Sequence, residues 1–160
     1  MIIKADNIRL VRFTEPNSTI KEIMNDPEIL ENLSEANSYP APMPSRICFS
    51  IEAGGECIGQ ICLKSIRWIN HKAEISLFIR KDMQSRGYGL QALRSIVNFG
   101  FKRLNLYRLE GEVIENNQAS LALLKRTGFT EEGRLREAKY VNGKYYDLLR
   151  FGLLRKEYQE

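Results

Sequence analysis

The sequence has one histidine, His71, only three cysteines in 160 residues, and no apolar run near the length of a membrane span. Each shortage removes a class of chemistry. His71 is the single imidazole on which a Ser–His–Asp triad could be built, and Ser120 lacks the flanking glycines of a nucleophile elbow, so no triad is read. Cys48, Cys57, Cys62 and His71 add up to four potential zinc ligands. No Cys-x-x-Cys pair exists, however, and the thiols lie in strand-like text, which argues against a metal. An odd number of cysteines among apolar neighbours suits reduced core thiols in a cytoplasm better than a disulfide framework. A membrane helix needs about 20 consecutive apolar residues, and none occur. The opening "MIIKADNIRL" has Lys4 and Asp6 where a signal peptide requires an apolar core, so the expected location is cytoplasmic. The net charge of +4 is mild. Its basic residues are scattered, with no stripe for a nucleic-acid duplex, although the sign favours a small polyanionic ligand.

What is present is ordinary for a globular protein: 43% hydrophobic and 28% charged residues, in a length that predicts one domain over 1–160. "NIRLVRF" alternates as a half-buried strand does. "TEPNSTIKEIMNDPEILENLSE" predicts one or two helices, broken near Asp26-Pro27. Three of the five prolines fall in "NSYPAPMP", so Tyr39 to Pro44 reads as an irregular loop. Gly54-Gly55 separates the β-rich runs "RICFSIEA" and "ECIGQICLKSIRWI" as a hairpin turn, and "KAEISLFI" is a further strand. A helix follows with Leu90, Leu93, Val97, Phe101 and Leu104 on one face. "LYRLEGEVI" is a strand, "NQASLALLKRT" a short helix ended by Gly128, and two strands turning at Asn142-Gly143 close the chain. The order β, α, β, β, β, α, β, α, β, β specifies a mixed α/β domain with one central sheet, its strands before and after the glycine turn paired in parallel.

The stretch "QSRGYGLQALRSIVNFGF" opens that long helix on Gly87 and Gly89, poor helix formers that bare backbone N–H groups at a helix N-terminus. Such a turn is either a tight connection or an anion cradle, with the helix dipole adding about 0.3–1 kcal/mol per anionic group. No third glycine completes a dinucleotide fingerprint, and no Gly-Lys-Ser/Thr completes a P-loop.

Gln84-x-x-Gly87-x-Gly89 after "AEISLFI" resembles the acyl-CoA pyrophosphate motif of the GNAT superfamily of N-acetyltransferases. Asn117-x-x-Ser120, Thr127-Gly128-Phe129, Glu132-Gly133-Arg134-Leu135 and Asn142-Gly143-Lys144-Tyr145 are similar to the branch of ribosomal-protein N-terminal and spermidine N-acetyltransferases. The similarity runs from about Asn7 to Tyr158 and is dense from Ala73 to Asp147. It implies the GNAT fold: a mixed, mostly antiparallel central sheet with helices on both faces and one parallel, splayed strand pair. It also implies acetyl-CoA as the donor and cosubstrate, with no metal. By the resemblance, backbone groups of Leu77, Phe78 and Ile79 grip the pantetheine and thioester. N–H groups of Gln84, Ser85, Arg86, Gly87, Tyr88 and Gly89 take the pyrophosphate, and Asn117 bonds the pantetheine arm.

Transfer to an amine needs a neutral nucleophile, donors for the oxyanion and a proton for the departing thiolate. Glu74 is the candidate general base, acting through a water. It lies on a strand whose other residues are largely apolar, where a carboxylate's pKa is expected to rise; otherwise it is a surface glutamate paired with Lys72 or Arg80. Many relatives carry a tyrosine as acid four residues after the Ser120 position, where this chain has Leu124. The ribosomal-protein enzymes use the serine itself, which makes Ser120 the candidate proton donor to the CoA thiolate. Tyr145, Tyr146 and Trp68 are candidates to touch substrate or fill the core, and His71 reads as a turn residue.

An amine of pKa about 10.4 costs roughly 4 kcal/mol to neutralise at pH 7.4, whereas a peptide α-amine of pKa about 7.7–8.0 costs under ~1 kcal/mol. The missing tyrosine therefore favours a protein N-terminus as acceptor. A small amine such as a polyamine, amino sugar or antibiotic is the alternative, and Asp26, Glu28, Glu31 and Glu35 would suit a polycation. A catalytically weak acyl-CoA-binding module is the non-enzymatic alternative. No nucleic-acid or membrane partner is expected, and the family forms monomers and dimers.

Overall fold

The computed structural model describes residues 2–4, 9–11, 14–32 and 43–159, in two units, Met1–Ser38 and Tyr39–Glu160. In the first unit, β1 (Ile2–Lys4) pairs antiparallel with β2 (Arg9–Val11), Ile2 opposite Val11. The second strand falls within the predicted one, whereas β1 was not foreseen, because three residues carry too little periodicity to register. Two short helices follow, α1 (Ser18–Met24) and α2 (Pro27–Asn32). Asn17 caps the first, its Oδ1 accepting the Ile20 N–H at 2.9 Å. Asp26 accepts the Glu28 N–H at 2.9 Å, and Pro27 starts α2 where its missing N–H is harmless, so the break falls where the sequence placed it. Most of the proline-rich loop, residues 39–42, lies outside the described residues; Met43 and Pro44 have no regular structure.

The second unit is a six-stranded sheet in the order β3-β4-β5-β6-β8-β7. Its strands are β3 (Ile47–Ala53), β4 (Glu56–Arg67), β5 (Lys72–Ile79), β6 (Arg108–Ile114), β7 (Thr130–Val141) and β8 (Lys144–Leu154). All neighbours are antiparallel except β5 and β6. Both glycine turns form as read: Gly54 and Gly55, like Asn142 and Gly143, have positive φ, as a two-residue hairpin turn requires. Between β5 and β6 runs α3 (Tyr88–Asn98), continued by a π-helical segment Phe99–Arg103, and α4 (Gln118–Arg126) joins β6 to β7.

Side-chain alternation on β5, β6 and β8 splits the sheet into two unlike faces. Ala73, Ile75, Leu109, Val113, Leu149, Phe151 and Leu153 point one way and pack against Leu93, Ile96 and Val97 of α3 and Leu121 and Leu124 of α4. Burying each such side chain contributes about 1.5–3 kcal/mol, which fixes both helices on this face. Of the predicted α3 stripe, Leu93, Val97 and Phe101 are buried. The opposite face carries charged side chains.

The expectation of reduced core thiols does not hold. Cys48 and Cys62 face each other across β3 and β4 with Cα atoms 4.1 Å apart, and they form a disulfide. Cys57 is free but exposed. Counting cysteines cannot show which two a strand register will oppose.

Candidate functional site

The parallel ladder between β5 and β6 is only three residues long, ending at Glu74 opposite Glu110. Beyond it β5 stays paired with β4 as far as Ile79, and β6 stays paired with β8 as far as Ile114, so the two strands part while each keeps its outer neighbour. A cavity of about 570 Å³ opens in this fork. Glu74, Ile75, Ser76 and Leu77 line one wall, Gly111 to Ile114 the other, and Asn117, Ser120, Leu123 and Leu124 of α4 the end. A second cavity, about 470 Å³, runs past the N-terminus of α3 and shares Leu77, Asn117, Ser120 and Leu123 with the first. The candidate base and acid thus line one hollow, and the glycine turn lines its continuation.

Nine of the ten residues expected to hold the cofactor line the second cavity: Leu77, Phe78, Ile79, Gln84, Ser85, Gly87, Tyr88, Gly89 and Asn117. Arg86 does not; it is exposed outside that wall. Ser85 and Gly87 both adopt left-handed φ, 61° and 85°, the kind of backbone from which anion-binding nests are built. The first helical hydrogen bond runs from Gln91 N–H to Gly87 O at 3.1 Å, leaving the N–H groups of Tyr88, Gly89 and Leu90 without helical partners. Gln84 departs from its expected part. Its backbone N–H closes the turn on Lys81 O at 3.3 Å, and its side chain donates to Ile79 O at 2.8 Å. Gln84 therefore ties the turn to the end of β5.

Asn117 is the N-cap of α4, its Oδ1 accepting the Ser120 N–H at 3.1 Å. That bond commits the oxygen and leaves the Nδ2 donor without a partner among the described residues. Leu124, where many relatives have tyrosine, is buried on Gly111; a Cβ on that glycine would stand 3.2 Å from Leu124 Cδ1. Its contribution is packing.

Glu74 does not sit in apolar surroundings, because the apolar residues of β5 point to the other face. Its carboxylate meets the Lys64 ammonium at 2.6 Å. The partners considered from the sequence are engaged elsewhere: Lys72 with Glu110 at 3.3 Å, and Arg80 with Asp82 at 2.7 Å. Beside Glu74, the Arg108 guanidinium is held between Glu110, at 2.7 Å, and Glu132. The hydrogen bond to Glu132 raises the Arg108 pKa above its ordinary value despite partial burial. Burial pushes the Glu110 carboxyl up, but Arg108 and Lys72 together outweigh it and hold it below the usual range. Glu132 is likewise lowered by its bond to Arg108.

Several lining residues escaped the sequence reading. Lys64 and Glu112 were hidden because strand register decides their neighbours, and Lys139 because a bulge does. Arg126 in the wall of the second cavity had a weak signal, a basic last turn in "KRTGF". Trp68 is half-buried, its indole N–H donating to Pro44 O at 2.9 Å, and it lines neither cavity. His71 is a turn residue, as expected, with φ of 49° and Nδ1 3.1 Å from Asn105 O. Tyr145 is exposed and packs its ring, tilted by 54°, against Tyr140, and neither it nor Tyr146 is part of the core. Among the described residues no group of three or more His, Cys, Asp or Glu could hold a metal ion, and no helix is long and apolar enough to cross a membrane.

Comparison with known proteins agrees with this geometry. The acetyltransferase (GNAT) domain matches residues 6–149. A ribosomal N-acetyltransferase, YdaF of Bacillus subtilis, so named with a query as to its activity, is 36% identical over 113 residues, 68% of this chain and 62% of that protein. The spermidine N(1)-acetyltransferase of Escherichia coli K12 is 25% identical over 158 residues, 98% of this chain and 85% of that one. A solved RimL, a ribosomal L7/L12 α-N-protein acetyltransferase in complex with coenzyme A, superposes with a TM-score of 0.66 at 27% identity, covering 69% of this chain and 62% of its own. The chain thus spans less than two thirds of the YdaF and RimL lengths. It belongs to the GNAT acetyltransferase family.

Proposed function

We propose that this GNAT-family chain moves an acetyl group from acetyl-CoA to a primary amine, in the first place a protein N-terminal α-amine, by direct attack. The carrying observation is that Glu74 and Ser120 line one cavity in the β5–β6 fork, which continues to the glycine turn. Acetyltransferases of this family use acetyl-CoA, and the residues present suit it: a cradle of unpartnered N–H groups at a helix N-terminus, then a channel between parted strands. When bound, it supplies the activated acetyl thioester.

The chain's own groups do the rest. N–H groups of Ser85, Gly87, Tyr88 and Gly89 hold the pyrophosphate, Asn117 Nδ2 donates to the pantetheine arm, and the parted edge of β5 at Leu77, Phe78 and Ile79 positions the thioester. Glu74 takes the proton from the incoming ammonium, through a water. Ser120 Oγ gives a proton to the departing CoA sulfur as the C–S bond breaks and the amide C–N bond forms. The family match runs through both units, which supports a single catalytic domain over 1–160. Spermidine is the second acceptor considered, because its acetyltransferase aligns with 98% of the chain and Asp26 and Glu28 are exposed acids.

The test is release of CoA thiol from acetyl-CoA in the presence of an N-terminal peptide or of spermidine. Faster turnover of the peptide supports the proposal. Faster turnover of spermidine replaces the acceptor, and acetyl-CoA binding without turnover of any amine leaves only a binding module.

A further inference from the structure

Lys139 lines the fork cavity beside Glu74 and Ser120, and nothing in the spacing of the sequence places it there. A register shift between Leu135 and Lys139 does. Within it Glu137 takes a left-handed φ of 52° and its N–H donates to Asp147 Oδ1 at 2.8 Å. Arg134 bridges Asp147 at 2.7 Å and Glu115 at 3.0 Å, and Asp147 N–H returns to Glu115 at 2.9 Å. The bulge is therefore fastened to the connection between β6 and α4, the same connection that carries Asn117. Bulges of this kind re-aim a side chain next to a site, and here Lys139 comes to stand opposite Tyr146.

Its charge is the unbalanced one. Of the four charged residues in the cavity lining, Lys64 is paired with Glu74 at 2.6 Å and Glu112 with Arg150 at 3.1 Å. The Lys139 ammonium has no ion pair or hydrogen bond among the described residues. An acceptor whose amine reaches Glu74 must bring its neighbouring groups near this ammonium, which attracts an anion and repels a second cation.

Resting on the N-acetyltransferase reading above, we infer that Lys139 is a specificity determinant for amines with a carboxylate a few bonds away: polypeptide N-termini with an acidic side chain at the second residue. A free amino acid offers the same carboxylate chemistry, so the test includes one.

The experiment compares kcat and KM for peptides identical except for Ser-Glu, Ser-Ala or Ser-Lys at the start, with free glutamate and spermidine alongside, for the wild-type chain, Lys139→Met and Lys139→Glu. The expected result is about a tenfold preference for Ser-Glu over Ser-Lys, carried by KM and weakened by salt. Lys139→Met should flatten it and Lys139→Glu reverse it. A ranking among acceptors is insensitive to partial misfolding, and acetyl-CoA titration confirms that each variant is folded. If peptides are acetylated with no charge preference, or with one that Lys139→Glu leaves unchanged, this inference falls and the N-terminal reading stands. If spermidine outruns every peptide, both fall. If free glutamate outruns the peptides, the polypeptide acceptor is overturned.

Discussion

Glu74 and Glu110 face each other across the last rung of the β5–β6 ladder, yet each answers to a different cation: Glu74 to Lys64 at 2.6 Å, Glu110 to Arg108 at 2.7 Å. Glu110 is tied into a network that extends to Glu132 and Lys72, whereas Glu74 stands where the strands part, against the cavity. Of the two carboxylates, only the one at the fork lines the cavity that holds Ser120, which is why it is the base in the proposed mechanism.

Glu74→Gln should lower kcat/KM by about 10²–10⁴-fold, the usual contribution of a positioned base, with acetyl-CoA affinity within about twofold of wild type. Steady-state kinetics paired with calorimetry checks this. A variant with wild-type turnover would remove Glu74 from the mechanism.

Ser120 and Asn117 separate chemistry from folding. The cap on α4 uses the Ser120 N–H, so Ser120→Ala should leave stability nearly unchanged while lowering kcat. Asn117→Ala loses the cap and should cost about 1 kcal/mol, together with acetyl-CoA affinity. Thermal denaturation and turnover, measured on both variants, distinguish the two residues.

Gly87 and Gly89 should respond differently to alanine. Gly87 has φ of 85°, where an L-residue costs about 1–2 kcal/mol, although the space around it is open. At Gly89 an added Cβ would meet Ile79 and Leu123 at an ordinary 3.6 Å. Titration of acetyl-CoA should therefore show the larger loss for Gly87→Ala, and equal affinities would mean that the turn's shape does not serve the cofactor.

Gly59 is pressed against β5. A Cβ there would overlap the carbonyl oxygen of Phe78 and stand 3.0 Å from Ile79 Cα, both backbone atoms that cannot rotate away. Gly59→Ala should destabilise by about 1–3 kcal/mol and shift the strand that shapes the fork. Chemical denaturation measures the first effect, acetyl-CoA titration the second.

Acid should destabilise the second unit through four carboxylates, the exposed Asp82 bonded to Arg80 and three in the sheet. Glu110, Glu132 and Asp147 are held below their ordinary values, Asp147 by the Arg134 hydrogen bond first and then by the Glu137 N–H. A depressed folded pKa means that the unfolded chain takes up the proton first as pH falls. The stabilisation is complete above the unfolded values of about 4, and is lost as pH drops through the lower folded ones. Tm should be flat with respect to these groups from about pH 5 to 8 and fall below about pH 4, less steeply in Glu132→Gln. A wild-type Tm that held level to pH 3 would contradict this.

Local features were legible because their physics is local. The α1–α2 break follows from Asp26-Pro27, the two hairpins from residues tolerant of positive φ, and the anion cradle from glycines at a helix start. These, with the alternation of β5 and β6, carried the fold; the family resemblance added ten candidate cofactor residues, nine of which line one cavity. The strand β1 was missed because three residues show no period, and the Gln84 N–H was misassigned because a one-turn 3₁₀ segment, Lys81–Met83, consumes it.

The sequence by itself determined the order of elements, the glycine turn and the family, since each depends on residues close together in the chain. Tertiary structure alone decided that Lys64 meets Glu74, that Cys48 meets Cys62, and that Lys139 reaches the cavity. Each of these pairs or places residues on different strands, where register counts. Shifts at Lys64/Arg67 in β4 and at Leu135/Lys139 in β7 move that register by amounts that no periodicity records.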